Sequence, residues 1–171
     1  KMDFHLEVME PSMLAGHVVK SSDIRTLVAA DDVHKASKML GRPFALIGVV
    51  CHVKIRGRVL GFPTANLKLD PEILMPGNGI YATWATIEGR RFQAATSVGV
   101  NPTFGTGKKQ VETFLIDFEG DLYEHIIHLE FISYLRPERT FPTVEDLACQ
   151  TERDVNQVKI ILNRREREDA T

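Results

Sequence analysis

The sequence predicts a mainly β fold, an antiparallel barrel or sandwich, with one long helix at its C-terminus. Closely spaced strand patterns fill residues 44–142 without a helical pattern between them, which argues against a parallel α/β sheet. A continuous apolar face at helical spacing then runs from Val144 to Leu162. The simplest architecture that buries both patterns is a barrel with this helix lying across it.

Residues 1–41 predict a short α/β appendage, because they hold too few large apolar side chains to build a separate core. Apolar and polar residues alternate over 4–8, as on a short strand. The SSD sequence at 21–23 indicates a helix N-terminus. Two aspartates at 31–32 open a second helical pattern, which ends at the GRP sequence of 41–43.

The central zone contains segments rich in apolar and β-branched residues, as strands are. Two short polar turns, at 88–90 and 119–121, suit hairpins between neighbouring segments. The predicted strands are Phe44–Val53, Gly79–Ile87, Arg91–Val100, Val111–Phe118 and Ile126–Leu135.

The C-terminal helix carries its own start signal and a matching charge distribution. Thr143 can cap it, Glu145 and Asp146 occupy its first turn, and Lys159 lies towards its end, an arrangement that complements the helix macrodipole. Residues 164–171 mix both charges, and we expect them to fray.

Composition excludes several classes of protein. The 171 residues carry 21 basic and 23 acidic side chains, a net charge of −2, which argues against a nucleic-acid partner held by phosphate contacts. No apolar run approaches the ~20 residues that span a bilayer. Cys51 and Cys149 are too few for a disulfide framework, so we expect a cytoplasmic protein without a membrane partner. Because the chain begins with Lys1, we expect a fragment or an added N-terminal remnant.

The most unusual stretch is GRVLGFPTAN at residues 57–66. Gly57 and Gly61 would let backbone N–H groups approach an anion, and Pro63 stiffens the residues that follow. Thr64 and Asn66 offer neutral oxygens two positions apart, which suits Mg²⁺ beside phosphate groups. A glycine-rich turn followed by a strand explains the same pattern without any ligand.

Glu112 lies at the start of an apolar strand, where a carboxylate can accept a proton from a substrate hydroxyl. Alternation places it on one face with Phe114 and Ile116. If those two side chains point into the barrel, Glu112 does too. The alternative is an ordinary outward-facing strand residue.

Two familiar motifs fail on spacing. Gly107-Lys108 lacks the first glycine and the Ser/Thr of a P-loop, because Pro102 and Lys109 occupy those positions. His125 and His128 are three apart on a predicted strand, so they point to opposite faces and are unsuited to one metal.

Taken together, the motifs resemble the riboflavin kinase module of bacterial bifunctional riboflavin kinase/FMN adenylyltransferases. The resemblance runs in order over about residues 40–160. It rests on LGRP at 40–43, GRVLGFPTANL at 57–67, GIYA at 79–82, GVNPTFG at 99–105, VE at 111–112, DLY at 121–123 and LRPE at 135–138 with Phe141.

This resemblance implies a six-stranded antiparallel Greek-key barrel with a C-terminal helix, and phosphorylation of the riboflavin 5′-hydroxyl by ATP and Mg²⁺ to give FMN. It implies that Thr64 and Asn66 contact Mg²⁺ and the phosphates, that Glu112 is the general base, and that Arg136 lies on the flavin side with Glu112. The remaining nucleotide-binding residues would be Gly57, Arg58, Gly61 and Pro63.

Residues 1–41 resemble the end of an FMN adenylyltransferase domain, and 42–171 would be the kinase barrel with its helix. The earlier GxFDGxHxGH element of that domain is absent, so FAD synthesis is not expected from this chain, and the full-length protein has room for a missing adenylyltransferase domain. Val53 stands where the family usually has glycine. The alternative is therefore a non-catalytic module that binds flavin or nucleotide.

Overall fold

The computed structural model describes residues 5–51, 62–100 and 109–169. Helices and strands follow one another in three groups: an N-terminal hairpin with two helices, six longer strands, and one C-terminal helix. Within the described ranges they are β1 (Met13–Leu14), β2 (His17–Val18), α1 (Ser21–Ala29), α2 (Val33–Leu40), β3 (Phe44–Cys51), β4 (Ala65–Lys68), β5 (Gly79–Ile87), β6 (Arg90–Val100), β7 (Lys109–Leu115), β8 (Ile126–Arg136) and α3 (Val144–Asp169).

Six strands close into an antiparallel barrel in the order β3-β4-β7-β6-β5-β8, with β8 returning to β3. Strands β5, β6 and β7 are consecutive neighbours and β4 lies beside β7, which is a Greek-key arrangement. The mainly β fold is confirmed, as a barrel and not a sandwich. The β5–β6 hairpin turns at Glu88 and Gly89, whose φ angles of 49° and 78° suit the tight turn that hairpins favour.

Two apolar clusters lie on opposite sides of the barrel wall. The interior cluster contains alternate residues of every barrel strand, such as Leu46, Val98 and Phe131. The outer cluster packs α3 against the sheet through Val158 and Leu162. The inward positions of the strands are therefore mostly apolar, which leaves functional residues to the outer face and the barrel ends.

A row of threonine hydroxyls crosses the barrel interior. The Thr96 hydroxyl lies 2.7 Å from that of Thr83 and 2.9 Å from that of Thr113, and Thr83 also donates to the Ala94 carbonyl. All three threonines are fully buried. Their polar groups satisfy one another, as buried polar groups must.

The two N-terminal helices pack against the barrel. Val28, Val33 and Ala36 are buried, and Val33 belongs to the interior cluster. The Tyr81 hydroxyl lies 2.8 Å from an Asp31 carboxylate oxygen and 2.9 Å from the Gly77 carbonyl. These contacts tie the appendage to the barrel, while the division of the chain at residue 41 stays a prediction.

The expected N-terminal signals are only partly correct. No strand forms over the described residues 5–10, where Leu6 and Val8 are exposed and have no neighbouring strand with which to pair. Helix α1 forms as expected, although no side chain caps it. In α2, Asp32 accepts a hydrogen bond from the Lys35 N–H, and Gly41 ends the helix with φ of 68°, as predicted.

Helix α3 begins as predicted, because the Thr143 hydroxyl oxygen accepts a hydrogen bond from the Asp146 N–H at 3.0 Å. The expected fraying from residue 164 is wrong: the helix continues to Asp169, with Arg164 paired to Glu168 one turn later. Only the second half of the apolar face is buried, since Val144 remains more than half exposed. In the described ranges, no helix is both long and apolar enough to cross a membrane.

Candidate functional site

The outer face of the barrel carries one continuous row of polar residues, set by strand register. Asn66 on β4 lies directly opposite Glu112 on β7, and Glu112 lies opposite Ser97 on β6. The neighbours of Asn66 along β4, Ala65 and Leu67, point into the interior cluster, so Asn66 faces outwards. Directly opposed residues have Cβ atoms about 4.5–5.5 Å apart, so the structure places the predicted amide and carboxylate side by side.

Glu112 does not enter the barrel. Its neighbours Val111 and Thr113 are fully buried on the inner face, whereas Phe114 and Ile116 belong to the outer cluster beneath α3. The condition that would have put Glu112 inside, namely inward-pointing Phe114 and Ile116, is therefore not met. Glu112 is instead a half-buried carboxylate on the outer wall.

The side-chain carbonyl oxygen of Asn66 is buried, and it has no hydrogen-bond partner among the described residues. Buried polar atoms are almost always paired in folded proteins, so this oxygen is available to a partner from outside the described residues. A neutral amide oxygen suits a hard cation such as Mg²⁺. Among the described residues there is no group of three or more His, Cys, Asp or Glu that could hold a metal ion.

Thr64 and Pro63 lie just before β4, exposed at the end of the barrel. They line a cavity of about 300 Å³ together with Asp121 and Tyr123 from the turn between β7 and β8. Thr64 is two residues from Asn66, so an extended chain turns both side chains to the same side. The predicted positions Gly57, Arg58 and Gly61, like Val53, lie outside the described residues.

Arg136 lies beyond the last polar residue of this row, with the apolar Ile80 between them. It lies opposite Ile80 on β5, which in turn lies opposite Ser97. Three strand spacings separate Glu112 from Arg136, which is about 14 Å along the sheet. The Arg136 guanidinium forms a short double contact with the Asp154 carboxylate of α3, from Nε at 2.9 Å and from Nη2 at 2.5 Å.

Two carboxylates near this row received no role from the sequence. Glu138 accepts a 3.5 Å hydrogen bond from the Ser97 hydroxyl and lies over Gly99, where an added Cβ would come within 2.1 Å of its oxygens. Partial burial raises the pKa of the Glu138 carboxyl, against the opposite pull of Ser97, Lys109 and Arg136. The second carboxylate is Asp154. In the sequence, the only sign of its role is that it follows Gln150 by four residues, a spacing that brings two side chains together on a helix.

Comparison with known proteins gives a consistent result. A family model described as Flavokinase, riboflavin kinase, matches residues 40–162. A bifunctional riboflavin kinase/FMN adenylyltransferase of Pseudomonas fluorescens is 37% identical over 153 residues, covering 89% of this chain and 49% of the relative. That of Bacillus subtilis is 35% identical over 139 residues, covering 80% and 44%. The chain thus spans about half the length of these relatives.

Two solved structures share the fold. A Streptococcus pneumoniae protein described as a macrolide-efflux protein superposes with a TM-score of 0.80 at 31% identity, over 87% of this chain and 49% of the other. A riboflavin kinase from Trypanosoma brucei superposes with a TM-score of 0.55 at 27% identity, over 71% of this chain and 78% of that one.

Proposed function

Because the chain belongs to the riboflavin kinase family, we propose that it transfers the terminal phosphate of ATP to the 5′-hydroxyl of riboflavin, giving FMN and ADP. The observation that carries this proposal is the pairing of Asn66 and Glu112 on neighbouring strands, with the Asn66 carbonyl buried and unpaired among the described residues. The Asn66 carbonyl oxygen offers a ligand to a cation, and the Glu112 carboxylate on the neighbouring strand offers a base.

The phosphate end of the site would lie at Thr64 and Asn66, which would hold Mg²⁺ through neutral oxygens. When bound, Mg²⁺ would neutralise phosphate charge, which is most of what phosphoryl transfer requires. The cavity beside Pro63 and Thr64 has room for a further part of the nucleotide. By resemblance, Gly57, Arg58 and Gly61 would complete the nucleotide site.

The acceptor end would lie along the row from Glu112 towards Arg136. In the proposed reaction the riboflavin oxygen forms a bond to the γ-phosphorus, the bond to the bridging oxygen of ADP breaks, and the hydroxyl proton passes to Glu112. A carboxylate one strand from Asn66 is suitably placed to take this proton. The flavin would then extend across β6 and β5, where Arg136 borders it.

The decisive experiment replaces the proposed base. We expect Glu112→Gln to lower kcat for FMN formation by about 10²–10⁴-fold while leaving the KM values nearly unchanged, because the amide cannot accept the proton. The measurement is chromatographic detection of FMN in a mixture of chain, ATP, MgCl₂ and riboflavin. The matched control is Glu130→Gln on β8, which removes a carboxylate paired with Arg91 elsewhere on the barrel.

Unchanged turnover in Glu112→Gln would remove Glu112 from the base role. Flavin binding without any FMN formation by the unmodified chain would instead support the non-catalytic binding module. The relatives are named as bifunctional, and we attribute their second activity to the half of their length that this chain does not match. We therefore expect no FAD in the same incubation.

A further inference from the structure

The guanidinium of Arg136 is fixed from several sides. Its Nε donates to both carboxylate oxygens of Asp154, at 2.9 and 3.1 Å, and its Nη2 donates to one of them at 2.5 Å. Its Nη1 donates to the Pro137 carbonyl, and the Phe141 ring lies 6.0 Å from the guanidinium carbon. The side chains of Arg136 and Asp154 are only 14% and 7% exposed.

Asp154 is itself held in place. The side-chain amide of Gln150, one turn earlier on α3, donates to Asp154 Oδ1 at 2.9 Å. Both carboxylate oxygens thus have partners, and the orientation of the pair is determined by the position of α3 on the barrel. Glu138 also lies within electrostatic range of Arg136, but its hydrogen bond comes from Ser97.

This pairing has a consequence for charge. The Arg136 and Asp154 charges cancel at close range, so the pair offers N–H donors with little net positive field. On the described part of the chain, one hydrogen on each of Nη1 and Nη2 has no protein acceptor, because each of these nitrogens carries two hydrogens and makes one contact. Donors without net charge suit an uncharged ligand better than an anion.

We infer that Asp154 is a positioning residue that orients Arg136 for the flavin and masks its charge, so that this end of the site favours neutral riboflavin over phosphorylated FMN. The inference rests on the proposed function. Substrate and product differ by a phosphate at the Glu112 end, three strands from Arg136. Over roughly 14 Å, an unmasked cation would favour the product by about two- to tenfold, depending on the effective dielectric constant.

The test uses the isosteric variant Asp154→Asn and measures the Kd of riboflavin and of FMN separately, by quenching of flavin fluorescence without nucleotide. We expect riboflavin to bind less tightly and the ratio of the FMN Kd to the riboflavin Kd to fall by about two- to tenfold at low salt. The change should shrink at high salt, because the phosphate of FMN is solvated and lies more than a Debye length from Arg136. A merely structural role would weaken both ligands alike.

The matched control is Asp117→Asn, which breaks another ion pair between the barrel and α3, with Lys159 at 3.2 Å. We expect the ratio to stay unchanged in this control. Asp154→Glu, which keeps the charge, should preserve the ratio as well. An equal loss for both flavins in Asp154→Asn would overturn the inference while leaving the proposed function intact.

Removing one partner of a buried ion pair can unfold a protein, so a second variant is needed. The double change of Arg136→Gln with Asp154→Asn leaves no unpaired charge. Here we expect weaker riboflavin binding with the FMN-to-riboflavin ratio of the unmodified chain, and a ratio shifted towards FMN would contradict the inference. If the unmodified chain forms no FMN from riboflavin, ATP and MgCl₂, the proposed function fails, and the inference fails with it.

Discussion

The Asn66 carbonyl is buried without a partner among the described residues, and this leads to a prediction about stability. A buried polar atom without a partner costs about 1–3 kcal/mol, and replacing such a group by an apolar group of similar shape is neutral or stabilising. We therefore expect Asn66→Leu to raise the free energy of unfolding by about 1–2 kcal/mol in the absence of ligand. For a domain of this size that corresponds to a rise in Tm of about 2–8 °C.

The assay is urea denaturation, repeated with MgADP as a ligand that cannot transfer phosphate. At about 100 times its Kd, a ligand that binds only the folded state adds about 2.7 kcal/mol to stability. If the Asn66 oxygen helps to hold the Mg-nucleotide, the unmodified chain gains this term and the variant gains much less. The order of stability should therefore reverse between the two conditions.

The control is Asn163→Leu, because the Asn163 carbonyl accepts a 2.6 Å hydrogen bond from the Gln93 amide. Breaking this satisfied bond should lower the free energy of unfolding by about 0.5–1.5 kcal/mol relative to the unmodified chain. This loss should be the same with and without MgADP. A loss of about 1 kcal/mol or more in ligand-free Asn66→Leu would show that the carbonyl is paired in solution and would refute the reasoning.

Three further predictions concern the fold and its pH dependence. Thr96→Val removes the middle hydroxyl of the buried threonine row, and urea denaturation should show a loss of about 1–3 kcal/mol, because the neighbouring hydroxyls lose a partner. Tyr81→Phe should cost about 1–3 kcal/mol by the same measurement, since Asp31 loses its bond from the tyrosine hydroxyl; an unaffected midpoint would show that the N-terminal helices do not depend on this bond. The raised pKa of Glu138 means that its contribution to stability is present at low pH and is lost as the pH rises through that pKa. The free energy of unfolding should therefore fall more between pH 4 and pH 7 in the unmodified chain than in Glu138→Gln.

Local sequence signals predicted the elements of this fold well, for identifiable reasons. The β5–β6 hairpin follows from two β-rich segments joined by Glu88 and Gly89, all information within about twenty residues of chain. The start of α3 follows from one capping threonine. The strand expected at residues 4–8 failed because alternation specifies a face for a strand only when a partner strand exists, and none lies beside residues 5–10 among those described.

The candidate site was predicted as residue types and not as geometry. Thr64, Asn66 and Glu112 came from motifs, but the motifs contain nothing about which strands are neighbours. The contact of β4 with β7 arises from the Greek-key closure of the barrel, and so does the direct opposition of Asn66 and Glu112. The partner of Arg136 was missed for the same reason, since Asp154 approaches it only once α3 docks on the barrel.

The closed barrel also explains why the site lies on the wall and not inside. Among the described residues, the inward strand positions carry an apolar cluster and a row of threonines that bond to one another, so a carboxylate there would lose its hydration. An outward row on rigid strands keeps the spacing between Asn66, Glu112 and Ser97 fixed by backbone hydrogen bonds. Phosphoryl transfer depends on positioning more than on covalent chemistry from the protein, and a strand ladder supplies that positioning directly. A change that slips the β4–β7 register by one residue would turn Asn66 into the core, and it should therefore abolish transfer even with every proposed side chain present.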